Sequence, residues 1–203
     1  MVTAEDIEQR RSPRALRDFV VELKRVVRAN EHERHRGIQK AGLYKEFLDE
    51  IVPLSLFALH MYPESYEIQP VLGSQGYDAL VFDESGKEVD RIEMTVPHDG
   101  AATAKDARLI VGRGYGRTQV GTPGDDFNAL FPYVLAACHK KAMKDYRDCS
   151  LVVAIEPMTP FISFEALYES QIEALASRMG EIQFRAKRVF LLVMPNCIWH
   201  VCG

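Results

Sequence analysis

The residues best placed to do chemistry are Asp78 and Glu93, in the stretch GYDALVFDESGKEVDRIEMTVPHDG at positions 76–100. Each acid interrupts an apolar run that reads as a strand, and a turn separates the two runs. Ser85-Gly86 suits a two-residue hairpin loop, because glycine adopts the positive φ such loops need. That loop sets Glu84 opposite Lys87 and, counted back along both strands, Asp78 opposite Glu93 on one face. Like charges facing each other across a strand pair are destabilising. A divalent cation with oxygen ligands relieves the repulsion, so the two acids read as a metal site. The expectation hangs on register: one more loop residue, or a bulge, moves Glu93 to the other face. The bland readings are a strand-end acid bonded to a turn for Asp78 and a partner of Arg91 for Glu93.

The elements that must position these acids follow from the rest of the chain. Ser12 as N-cap and Pro13 at the first helical position start a helix with Leu16, Phe19, Val20, Leu23 and Val27 on one stripe. EHERHRG reads as a polar break. A second helix runs from about Ile38 to Tyr62, with Pro53 kinking or splitting it. SYEIQPVLGS is a first strand and the hairpin supplies two more. AATAKDARLIV is a short helix, and GRGYGRTQVGTPGDD, without apolar period, is a loop. A helix capped by Asp125 or Asp126 follows. CSLVVAIEPM is a strand apolar on both faces. SFEALYESQIEALASRMG is a helix ending near Gly180, and the tail supplies one or two strands. This order implies an α/β protein with a mixed sheet flanked by helices.

That order, with Asp78 ending GYD and Glu93-Met94-Thr95 in IEMT, resembles the restriction-endonuclease-like PD-(D/E)XK nuclease superfamily over residues 41–203. Residues 1–40 would form a basic helical arm outside that core. The resemblance implies a nuclease that hydrolyses phosphodiester bonds of nucleic acid, with Mg²⁺, or Mn²⁺ as the alternative, held by Asp78, Glu93 and the Met94 carbonyl. Some members add an acid from the first core helix, which here makes Glu50 a further ligand and leaves Glu46 a surface carboxylate. Thr95 stands where the family has lysine. A cation from elsewhere must then orient the attacking water, with Lys105 the first candidate, His98 the second and Lys45 the third. The alternatives are a catalytically inactive relative that binds nucleic acid or a partner protein, and an unrelated α/β protein without metal.

Charge points to the same partner. Residues 10–40 hold ten Lys/Arg against four Asp/Glu, a local +6, while the rest of the chain carries fifteen against twenty-five, −10, for the net −4. A basic segment on an acidic body suits nucleic acid, DNA ahead of RNA, with Arg14, Arg17 and Arg25 as contacts. In the glycine-rich loop, Arg113 and Arg117 could grip phosphate and Tyr115 could stack on a base. The polar N-terminus and the absence of a long apolar run imply a cytoplasmic protein with no membrane span. A homodimer would fit nucleases of this kind. The four cysteines lack CxxC spacing and read as free thiols, CIWHVC being a final strand rather than a metal cluster around His200.

Overall fold

Proline and serine set the first long helix as their positions require. In the computed structural model, which describes residues 2–115, 123–157, 165–195 and 197–203, Ser12 accepts the Ala15 N–H and Pro13 begins α2 (Pro13–Ala29). A short α1 (Ala4–Glu8) precedes it, capped by Thr3. Leu16 and Val20 are fully buried, and α2 packs on α5 (Val52–Met61). The segment read as a polar break is instead α3 (Glu31–Ile38). Asn30 caps it by accepting the Glu33 N–H, and Glu33 is itself buried, accepting the Tyr44 hydroxyl proton. A polar helix can form where its caps and one tertiary hydrogen bond compensate for a missing apolar stripe.

The next helical stretch is broken as Pro53 demands. A single turn, α4 (Tyr44–Glu46), passes into a π-turn (Phe47–Ile51) and then into α5, with Pro53 in its first turn. Proline cannot donate to the carbonyl four residues back. The Val52 N–H bonds to the Phe47 carbonyl instead, and the wider turn absorbs the missing link.

Strands β1 (Glu67–Pro70), β2 (Ala79–Phe82), β3 (Glu88–Thr95), β4 (Tyr146–Ile155), β5 (Ala186–Val193) and β6 (Cys197–Cys202) follow one another in chain order in a mixed sheet. β1/β2, β2/β3 and β5/β6 are antiparallel, and β4/β5 is parallel. The chain divides into two compact units, Met1–Ile92 with Asp99–Thr118, and Glu93–His98 with Gln119–Gly203. The N-terminal helices belong to the first unit.

The hairpin reaches the expected register by another route. Its loop has three residues, Glu84-Ser85-Gly86, closed by the Asp83 N–H on the Lys87 carbonyl, with Gly86 at φ 79°. The Asp83 carboxylate accepts from Ser85 N–H, Ser85 hydroxyl and Lys87 N–H, at 2.9, 2.6 and 3.0 Å. Phe82 then faces Glu88 and Val81 faces Asp90, so Val89 is an extra, bulged residue. Longer loop and bulge cancel, leaving Ala79 opposite Ile92 as a two-residue loop would.

In the second unit, α7 (Pro123–Ala142) and α8 (Glu165–Gly180) pack together over β4–β6. Phe127, Val134 and Cys138 of α7 and Tyr168, Ile172, Leu175 and Met179 of α8 form a core with Leu151, Val153 and Ile155 of β4. All of Leu151–Ile155 is buried, as the continuous apolar run requires. α7 starts at Pro123, so Asp125 and Asp126 lie within the helix. The segment after β3 forms α6 (Gly100–Arg113), which extends into the glycine-rich stretch and ends at Gly114 in the left-handed conformation.

Candidate functional site

Glu93 is the buried carboxylate around which a site is built. It leaves 6% of its surface exposed on β3, on the face that alternation shares with Arg91 and Thr95. Lys141, near the end of α7, forms an ion pair with Glu93 Oε1, and the Tyr146 hydroxyl donates to the same oxygen at 3.1 Å. The Lys141 ammonium also lies 5.6 Å from the centre of the Tyr146 ring. A buried charge is expensive unless paired and hydrogen-bonded, and here both needs are met. Both bonds fall on Oε1, which leaves Oε2 as the oxygen Glu93 can offer a hard cation.

Lys141 was not among the cations expected from sequence, yet α7 carried a signal for it. Phe127, Val134 and Lys141 recur at seven-residue intervals, so Lys141 continues the face that is buried one and two heptads earlier. A lysine on the apolar stripe of an amphipathic helix must find an acid or leave the interior.

Beside the pair lies a cleft of about 460 Å³ lined by Thr95 at the end of β3, by Val96, Pro97 and His98 after it, by Tyr133, Ala136, Ala137, Lys140 and Lys141 along α7, and by Lys144 just past that helix. His98 Nδ1 is 2.9 Å from the Val96 carbonyl. A carbonyl can only accept, so Nδ1 carries the proton and Nε2 is the nitrogen left to act. Thr95 and His98 thus share the cleft with three lysines, one of which, Lys141, is the partner of Glu93.

Asp78, Glu50, Glu46, Lys45 and Lys105 belong to the first unit. Asp78 stands just before β2. Its N–H donates to the Ile92 carbonyl at 2.7 Å, while its own carbonyl accepts the Val71 N–H at 2.9 Å. In a regular antiparallel ladder both groups of one residue point to the same neighbour, so Asp78 is a bulge residue and the even register ends at Ala79. The residue before it, Tyr77, has its ring 5.4 Å from the Arg91 guanidinium. Glu50 lies half-buried in the π-turn, Glu46 half-buried and Lys45 exposed on α4, and Lys105 exposed on α6. Met94 is buried on the opposite face of β3 from Glu93. Sequence reasoning also passed over Asp90, a second buried acid of β3, which accepts the Tyr62 hydroxyl proton at 2.7 Å.

The basic residues of the N-terminal segment are partly engaged within their own unit. Arg25 is bidentate to Glu22, at 2.8 and 2.7 Å, which raises its pKa and lowers that of Glu22. Arg10 stacks over Phe82 and Arg11 over Phe19, at 3.6 and 4.0 Å. Arg14 and Arg25 are exposed and Arg17 is half-exposed. Arg113 donates to the Tyr115 hydroxyl at 3.4 Å, and Arg117 lies outside the described residues. Cys197 and His200 are three residues apart on β6 and so face opposite ways; Cys197 Sγ accepts from Trp199 and His200 lies beside Phe190. Among the described residues no three His, Cys, Asp or Glu side chains gather as a metal cluster, and no helix is long and apolar enough to cross a membrane. Compared with known protein families, curated proteins and solved structures, the chain matches none.

Proposed function

We propose that the chain is a metal-dependent nuclease of the restriction-endonuclease-like type that hydrolyses phosphodiester bonds, with Glu93 as metal ligand and Lys141 in the role that Thr95 cannot fill. The observation that carries this is the ion pair of Glu93 and Lys141 at the edge of a cleft lined by further lysines. A lysine brought from α7 onto the third-strand acid supplies a fixed positive charge where a family member has one two residues along the strand. The donor set suits Mg²⁺ or Mn²⁺ in a modest way. Glu93 offers one oxygen, and such ions are often held by one or two carboxylates completed by water and substrate phosphate. Asp78 as the second carboxylate rests on the sequence pattern alone. When bound, the metal would lower the pKa of a water and neutralise charge on the phosphate. Lys141 would hold that water and stabilise the developing oxyanion, and Tyr146 would fix the Glu93 carboxylate.

A second reading is favoured by the same ion pair. Lys141 already neutralises Glu93, so the pair can serve as a structural element in a non-catalytic module that binds nucleic acid. Incubation of the full chain with labelled DNA and RNA, with Mg²⁺, Mn²⁺ or EDTA, separates the two. The nuclease reading expects cleavage with metal, lost in Glu93→Gln and in Lys141→Met, and retained in Lys105→Ala. Absence of cleavage with either metal, or equal cleavage by Glu93→Gln, overturns it. Asp78→Asn tests the second carboxylate separately.

A further inference from the structure

We propose that the α7 cleft receives one nucleotide of a single-stranded nucleic acid, its backbone phosphate on Lys140 and Lys144 and its base against Tyr133. The inference deepens the nuclease reading, on which it rests for the class of ligand, by naming strandedness and the residues that impose it.

The stripe of α7 that faces the cleft has an ordered composition. Tyr133 and Lys140 recur at i and i+7 on one side of α7, with Ala136 and Ala137 between them, and Lys144, two residues past the helix end at Ala142, lines the same cleft. Tyr133, at the aromatic end, is 41% exposed. The two alanines form a low floor that lets a ligand approach the helix closely. At the other end are two exposed lysines, and among the described residues neither Lys140 nor Lys144 has an acid within ion-pair distance. Lys141, which does, is turned inward to Glu93. Lys140, in the last helical turn, also complements the helix dipole. That accounts for its place at this end, not for two lysines sharing a cleft with a tyrosine and with His98, whose Nε2 remains available as a further contact.

The aromatic end bears on strandedness. A cleft of about 460 Å³ has room for a single base and its phosphate. The face of an aromatic side chain is usable only by an unpaired base, because paired bases are already stacked on their neighbours. Amines at one end and a ring at the other match the two ends of one nucleotide.

The test uses the full chain in EDTA, so that cleavage plays no part. Fluorescence anisotropy is measured with labelled oligothymidine, oligouridine and a DNA duplex of equal length. Single strands should bind more tightly than the duplex. Lys140→Glu with Lys144→Glu should weaken single-strand binding by about tenfold or more and flatten its salt dependence. Tyr133→Ala should weaken it by about tenfold, Tyr133→Phe should not, and neither should change duplex binding. All three side chains are outside the buried core, and circular dichroism verifies that the variants fold. Equal affinity for duplex and single strand, or single-strand binding indifferent to Tyr133→Ala, overturns the inference, as does unaltered binding by the double lysine variant. If these effects appear but no metal supports cleavage, the nuclease reading falls and the single-strand site stands. Cleavage without these effects leaves the nuclease reading in place and removes the site.

Discussion

The ammonium of Lys141 and the carboxylate of Glu93 meet in the interior of the second unit, and the hydroxyl of Tyr146 donates to the same carboxylate oxygen. Only 9% of the Glu93 side chain and 16% of the Lys141 side chain are exposed. The pair is therefore shielded from solvent in a way that the chain's surface ion pairs are not.

Removal of one partner should cost more than removal of both. Lys141→Ala leaves a buried carboxylate with only Tyr146 to satisfy it, an expected loss of about 3 kcal/mol in unfolding free energy. Combining Lys141→Met with Glu93→Leu replaces the pair by apolar side chains and should recover most of that loss. Urea unfolding of Lys141→Met, Glu93→Leu and their combination, beside Lys141→Ala, checks it; additive losses would show the two groups to be uncoupled.

The Glu33–Tyr44 pair predicts a stability limit at high pH. Burial, then the hydrogen bond to Glu33, push the Tyr44 phenol from 10.0 up to about 12. A group raised in the folded state stabilises the fold below its unfolded pKa, and that contribution fades as pH climbs from about 10 to about 12. The Tyr44 bond in turn holds the Glu33 carboxyl below 4.5, so its share is lost as pH falls past that value. Glu33→Gln should bring the Tyr44 titration down, read as the difference in tyrosinate absorbance between Glu33→Gln and its Tyr44→Phe double variant. An unmoved titration would leave burial as its sole cause.

Cys138 should be chemically silent. Burial between α7 and β4 pushes its thiol up to about 12, so almost no thiolate exists near neutral pH. Alkylation with iodoacetamide followed by peptide mapping should label Cys197 and Cys202 before Cys138. Early labelling of Cys138 would mean that α7 opens readily.

Gly86 has no freedom to change. Its φ of 79° lies in the left-handed region, and alanine there should cost about 1 kcal/mol. Asp83→Ala should loosen the same loop by removing the acceptor of three hydrogen bonds. Faster amide exchange at Lys87 in both variants would verify the link, and unchanged exchange would show that the strands alone hold the loop.

These cases show which features the sequence makes legible. α2 could be read because Ser12, Pro13 and the Leu16–Val20 stripe all act locally, and β4 because five successive apolar residues leave few alternatives. The strand register came out as expected through two offsetting departures, a longer loop and the Val89 bulge, neither visible in residue type. The α3 helix was missed because its stabilising contact, Glu33 with Tyr44, joins residues from separate segments. Asp78 illustrates the limit of counting along strands: a bulge at that residue comes from two hydrogen bonds to different neighbours, which no spacing encodes. Lys141 was legible in principle, as a cation on an apolar stripe, but its acid lies forty-eight positions away.

The paired bonds that join Arg11 to Ile68, N–H to carbonyl in both directions at 3.0 and 2.7 Å, have a practical consequence. They cover the outer margin of β1, and the segment that carries them also delivers Leu16 and Val20 to the interior. A fragment begun at residue 41, the boundary that the family resemblance implied, would bare the Ile68 N–H and carbonyl on that margin beside an uncovered apolar surface. Such a margin templates pairing between molecules, so the trimmed chain should gather into sheet-rich aggregates on expression, whereas one begun at Val2 should stay dispersed.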